Sequence, residues 1–331
     1  MQNRYRLAAA IAVGSLLFSA CSSPAQQAQP SGTTVENASS VFPSQVRSCD
    51  EVLVFNEAPT KVVMLGDTSA SVLAELDMLD RVIARAGVLR EDAFDQETLA
   101  QLRAIPTISS TELDTGGANV STEAILATGA DLVIGYDTGV DRDSLRASGV
   151  PVYSPNAMCA NYSVDKASFD LVNEEVTRLA AAFGVPERGE LVVANLNEQV
   201  AGLRADSERG TAAALYITPG STTFYAYGRS SMVQPIFEAN GLTNVYADES
   251  RRVFDASMED LLQRGPEYIV LVYGDGNAED AESTFATFNG VEELQATQHA
   301  RVVAMAMPFT DPPSPTSVAG AVKLSGLLQG K

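Results

Sequence analysis

The 331-residue chain predicts an α/β fold: two lobes, each built on a mainly parallel sheet, joined by a long rigid helix. Three observations carry this. Strands alternate with helices from Lys61 onward, which implies right-handed crossovers and parallel pairing. The same order restarts after Gly210, and the stretch between is helical throughout. With 45% hydrophobic and 19% charged residues the chain can bury a sizeable core, and its length suits about two domains.

Lys61 to Leu65 reads as a buried strand, residues 66–70 as a loop with an N-cap, Ser71 to Leu79 as a helix and Val82 to Ala86 as the next strand. Ser121 to Gly129 is a short amphipathic helix, Asp131 to Gly135 a buried strand, Ser144 to Ser148 a helix and Val150 to Ser154 a strand. Ser168 to Gly184 and Glu187 to Ser207 are the joining helices, with Pro186 at a helix start. Beyond Gly210 come a strand at Ala212 to Ile217, a helix at Ser231 to Asn240 and an edge strand at Leu242 to Tyr246.

The two lobes echo each other. STEAILATGADLVIGYD from Ser121 aligns with SMEDLLQRGPEYIVLVYGD from Ser257, pairing Ser121 with Ser257, Glu123 with Glu259, Leu126 with Leu262, Gly129 with Gly265 and Asp131 with Glu267 at one offset. LDRVI from Leu79 echoes LTNVY from Leu242 more weakly. Any helix-turn-strand unit carries a capping Ser and a terminal Gly, but five matches in one register point to a repeat.

Residues 1–20 hold Arg4 and Arg6, an apolar run from Leu7 to Phe18 and then small residues, the pattern of a lipoprotein signal peptide. The run is too short to span a bilayer. Leu17-Phe18-Ser19-Ala20-Cys21 resembles a bacterial lipobox, with Cys21 as the lipid anchor and Phe18 where Leu is preferred. Residues 21–44, rich in Ser, Ala, Gln and Pro, read as a flexible tether. Lobes at 45–166 and 210–331 flank connecting helices at 167–209. Cys49 and Cys159 remain. In an exported chain they are expected to bridge, closing 110 residues and stabilising by up to about 4–5 kcal/mol; two free thiols are the alternative.

The totals also exclude. With 22 Lys+Arg against 42 Asp+Glu the charge is −20, and loss of two arginines with the signal leaves −22, which repels nucleic acid. One histidine, His299, on a loop before a strand, rules out multi-histidine metal cages and HExxH hydrolases. No GxSxG, GxGxxG or P-loop motif is present. No catalytic residue, metal or cofactor is expected. A serine hydrolase and an adhesive or structural lipoprotein are the rival classes.

Residues 58–87, the twin SxE units, YAYGRSSMVQPIFEANGLTNVY from Tyr225, RVFDASMEDLL from Arg252 and PFTDPPSPTSVAG from Pro308 together resemble the substrate-binding proteins of bacterial ABC importers for iron-siderophores and cobalamin. In that class two Rossmann-like lobes are joined by one long helix. The paired cysteines and the YGR and FTDPP segments are similar to siderophore binders of actinobacteria. The resemblance implies a monomer that captures a ferric siderophore between its lobes and delivers it to a membrane permease, with cobalamin or haem as alternatives. It also implies permease docking through Glu123 and Glu259, which equally serve the dipoles of their helices.

In a two-lobe binder the ligand meets loops at the carboxyl ends of strands. Those ends hold Asp67, Thr68, Ser69, Tyr136, Asp137, Pro155 and Asn156 on the N-lobe. On the C-lobe they hold Tyr225, Tyr227, Arg229, Arg252, Phe254, Tyr273, Phe309 and Thr310. The aromatics suit burial of a large chelate, or are ordinary strand-end packing. Arg90, Arg229 and Arg252 are candidates to grip an anionic catecholate or carboxylate chelate; a neutral hydroxamate would need them less. Arg81 and Arg85 read as structural and Arg251 as surface.

Overall fold

The computed structural model describes residues 41–110, 118–136, 140–203, 208–274 and 276–329. The signal segment, Cys21, nearly all of the expected tether and Asp137 lie outside them.

The N-terminal lobe opens with an antiparallel hairpin, β1 (Ser44–Ser48) and β2 (Glu51–Phe55), whose period-2 pattern buries Val46, Leu53 and Phe55. A disulfide from Cys49 in its turn to Cys159 fastens it to the lobe. Glu51 adds ion pairs with Arg142 and Arg146, and the buried Ser48 hydroxyl accepts from Ser154 N at 2.8 Å. Then follow β3 (Val62–Leu65), α1 (Ala70–Glu75), β4 (Val82–Ala86), α2 (Gln96–Ala104), β5 (Thr107–Ser109), α3 (Thr122–Ala127), β6 (Leu132–Gly135), α4 (Arg142–Ala147) and β7 (Val152–Tyr153). The sheet runs β5-β4-β3-β6-β7, all parallel. Strands covered on both faces must be apolar on both, which is why VVML and LVIG are continuous runs rather than alternations.

Some boundaries move. The first helix ends at Glu75, well before Leu79, because Asp77 turns into the left-handed region at φ 60°, which a short polar side chain tolerates. The helix expected at Ser144 starts at Arg142, since Asp141 caps it by accepting from Ser144 N at 3.0 Å.

Between the lobes stand α5 (Asp170–Ala182) and α6 (Pro186–Ala201). The second was expected to reach Ser207, but its cap falls at Gly202. The C-terminal lobe contains β8 (Gly210–Ile217), β9 (Phe224–Tyr227), α7 (Val233–Ala239), β10 (Leu242–Asn244), β11 (Val253–Ala256), α8 (Met258–Arg264), β12 (Tyr268–Tyr273), α9 (Ala278–Phe285), α10 (Gln295–Gln298), β13 (Val302–Ala306) and α11 (Pro315–Leu328). Its sheet order is β11-β9-β8-β12-β13 with β10 also beside β8; β8, β10, β12 and β13 are parallel, and β9 is antiparallel to both neighbours.

The internal echo has a structural counterpart. β10 pairs with β8 as β4 pairs with β3, and β12 joins β8 as β6 joins β3. Ser121 and Ser257 cap α3 and α8 through Ala124 N and Asp260 N. Asp131 accepts from Thr60 N and Lys61 N, both at 2.9 Å, and Glu267 accepts from Thr211 N at 2.8 Å. In each lobe an acid just before one strand thus ties down the start of its neighbour. Gly210, at φ 135°, leaves the room this needs: a Cβ there would collide with the Glu267 carboxylate.

The outer faces of the two sheets have separate cores, but the inner faces share one. Met64 and Ile134 of the first sheet, Ala214 and Val270 of the second, and residues of α1, α5, α6, α7 and α11 form a single apolar cluster.

Candidate ligand-binding cleft

Parallel strands deliver their carboxyl ends to one edge of a sheet, and the loops leaving β3, β4 and β13 meet across the lobes. Asp67 and Thr68 follow β3, and Arg90 and Phe94 follow β4. Opposite them, Met307, Pro308, Asp311 and Pro312 follow β13, and together these residues line a narrow recess.

Each wall of the recess carries an ion pair whose acid is buried. Asp67, 8% exposed, accepts from Arg90 N at 2.7 Å and Arg90 Nη1 at 3.2 Å. Asp311, 1% exposed, accepts from Met232 N at 3.1 Å and Arg252 Nη1 at 3.3 Å. Burial raises both carboxyls above the usual range, and the guanidiniums of Arg90 and Arg252 pull each back.

Strand parity decides which aromatics face the cleft. Tyr216 on β8 is the direct partner of Tyr225 on β9, so the two share a face, with Tyr227 two residues on. Tyr225 is half-exposed and Tyr227 buried. Burial raises the Tyr227 hydroxyl far above its ordinary pKa. A Cβ at Gly274 would collide with the Tyr216 hydroxyl, so glycine makes room for that ring. Tyr136, at the end of β6, lies within electrostatic reach of Arg252 on the other lobe. Tyr273 donates to Asp92 Oδ2 at 3.3 Å, bridging the lobes.

Other expected site residues turn elsewhere. Arg229 is committed internally: Nε donates to Asp165 O at 3.0 Å, Nη2 to Asp165 Oδ1 at 2.7 Å and Nη1 to Asp248 O at 2.9 Å. Phe254 is on the opposite face of β11 from the tyrosines, edge-on to Tyr246 at 5.3 Å and under the Arg251 guanidinium. Phe309 packs toward α11, where Lys323 Nζ is 4.8 Å from its ring centroid; its neighbours Met307 and Pro308 take the cleft. Ser69 and Thr310 are buried, Ser69 at the start of α1 and Thr310 donating to Met307 O. Pro155 and Asn156 line a second recess with Tyr162, Glu174 and Pro313. Beneath it Tyr153 donates to Glu175 Oε1 at 2.7 Å and Arg178 to Glu175 Oε2 at 2.7 Å. Tyr162 is pushed up to about 12 by burial and by Glu174.

Sequence reading passed over Tyr216, Asp92, Met307 and Asp311. Asp311 alone had a signal, its place in the quoted FTDPP segment. Glu123 and Glu259 are exposed in the first turns of α3 and α8. These helices run back along the strands they precede, so both glutamates lie toward the cleft edge of their sheets. His299 is an exposed helix-capping residue, its Nδ1 2.8 Å from Gln295 O.

Two lobes that meet at a recess bordered by the carboxyl ends of their strands have the architecture of a solute-capture protein. Residues 62–307 match the periplasmic binding protein family, and the chain belongs to it. A protein of the ABC-type Fe3+-hydroxamate transport system from Saccharomonospora viridis is 33% identical, with TM-score 0.78, covering 87% of this chain and 99% of its own. The haem-binding protein RhuT from a Roseiflexus species is 21% identical with TM-score 0.62, covering 80% and 96%. The vitamin B12-binding protein BtuF of Vibrio cholerae is 16% identical with TM-score 0.58, covering 82% and 97%. The latter two likenesses concern the fold. No curated protein matches. The chain is accordingly an extracytoplasmic binding protein of the ABC-transporter type and not an enzyme. Among the described residues no helix is long and apolar enough to cross a membrane.

Proposed function

We propose that the protein captures a ferric siderophore of the hydroxamate class between its lobes and hands it to an ABC importer permease. The observation that carries the reading is the state of the three candidate arginines. Each already has a carboxylate partner, Arg90 with Asp67, Arg252 with Asp311 and Arg229 with Asp165. An anionic catecholate or carboxylate would have to share guanidiniums that these carboxylates already neutralise, and would meet the carboxylates' own charge. A neutral chelate asks only for apolar and π surface, which Tyr216, Tyr225, Phe94 and Met307 offer. Likeness to the Saccharomonospora viridis protein supports the same class.

Cys21 is read as the lipid anchor that holds a monomer at the outer face of the membrane. Glu123 and Glu259, exposed one per lobe, are read as the permease contacts, where arginine pockets would receive them.

The test is titration with ferric hydroxamate, catecholate and carboxylate siderophores, cobalamin and haem, following tyrosine fluorescence and melting temperature. A ferric hydroxamate is expected to saturate the protein, and at 100 times its Kd to stabilise it by about 2.7 kcal/mol. The iron-free form should bind more weakly. Binding of cobalamin or haem alone would replace the substrate assignment; no saturable ligand at all would remove the importer reading.

A further inference from the structure

The two cleft ion pairs carry an inference that rests on the siderophore reading. Arginines at a ligand cleft are ordinarily read as sources of positive charge. Here each is matched on its own lobe by an acid that cannot swing into water, since Asp67 and Asp311 are 8% and 1% exposed. Each acid is also fixed by a backbone donor, Arg90 N for Asp67 and Met232 N for Asp311. At Arg90, only 17% exposed, the neutralisation is built into the fold; at Arg252 the side chain is 56% exposed, but the acid that neutralises it is fixed and buried. Two further acids border the same region: Asp92, bonded to the Tyr273 hydroxyl, and Asp255, the cross-strand partner of Tyr225.

We propose that Asp67 and Asp311 are specificity-determining residues which, by neutralising Arg90 and Arg252, make the cleft accept neutral or cationic ferric chelates and reject anionic ones. A chelate with a negative rim meets guanidiniums whose charge is already spent, together with carboxylates that repel it. A neutral chelate loses nothing by the pairing. The competing account is that the acids merely aim the arginines at an anionic ligand.

The substitutions D67N and D311N separate the two accounts. Asparagine keeps an oxygen for the backbone N–H of Arg90 or Met232, while its amide NH2 takes the place of the oxygen that accepted from the guanidinium, so the charge and the arginine's acceptor are lost together. The probes are ferrichrome, a neutral ferric trihydroxamate, and ferric enterobactin, a trianionic ferric tricatecholate. The unaltered protein is expected to prefer the neutral probe by about 100-fold or more, as like-charge juxtaposition costs. Either substitution should narrow that ratio roughly tenfold, mainly by tightening the anionic probe. If the aiming account holds, the same substitutions weaken the anionic probe and widen the ratio, which overturns the proposal; an unchanged ratio does so too. Should a variant fold poorly, the salt dependence of the unaltered protein decides. Affinity for ferric enterobactin should hold or rise as salt is added, whereas a fall would mark a net positive cleft and overturn the assignment. If the unaltered protein binds neither probe, the siderophore reading fails and this proposal with it; binding of ferrichrome with no response in the variants defeats the charge assignment alone.

Discussion

Tyr225 and Phe254 occupy neighbouring strands of one sheet and face opposite ways, although both are aromatics near a cleft edge. Tyr225 is the partner of Asp255, so Phe254 necessarily joins the outer core. Replacing Tyr225 by Ala should weaken ligand binding by roughly tenfold or more, whereas Phe254→Ala should lower the melting temperature and leave Kd within about threefold. Arg229→Met belongs with the second group. It removes hydrogen bonds to the backbone carbonyls of Asp165 and Asp248 and a pair with the exposed Asp165 carboxylate worth up to about 1 kcal/mol, and should act on stability rather than affinity. A large affinity loss in Arg229→Met at unchanged stability would contradict this. Residue types near the cleft were legible in the sequence, because strand ends can be found from local pattern. The direction of each side chain was not, since parity depends on register with a partner strand. Nor could Asp311 be foreseen as the partner of Arg252, which is 59 residues away.

At the scale of elements, the repeated unit was the most readable part of the chain. A capping Ser, a helix turn, a terminal Gly and an acid before a buried strand are local signals, and both copies fold alike. The hairpin of β1 and β2 went unread, although SQVRS and EVLVF alternate, because their outward residues include Val52 and Val54 and so blur the polar face. That hairpin is held at its turn by the Cys49–Cys159 disulfide, and Cys159 ends the loop carrying Pro155 and Asn156 of the second recess. Replacing both cysteines by Ser should cost about 2–4 kcal/mol, measured as a shift of the urea midpoint. An unmoved midpoint would mean that Glu51 and its two arginines hold the hairpin unaided.

For the whole molecule, the sequence indicated a rigid joint from helix length. The structure adds a stronger reason, because the inner faces of both sheets bury into one cluster with α5, α6 and α11. Opening the lobes widely would expose that cluster to water at about 25 cal/mol per Å². Ligand addition should therefore leave the radius of gyration within about 1 Å, as small-angle scattering can test; a larger contraction would mean that the cluster parts.

The same cluster has a bearing on how the chain acquires its shape over time. Its first member is Val46 and its last is Leu328, in α11. A ribosome or translocation pore releasing the chain from its amino end would deliver the first lobe long before the helix that completes the cover of its inner face. Neither half can thus finish on its own schedule. The chain must wait for its final turn of helix before it closes as one cooperative body.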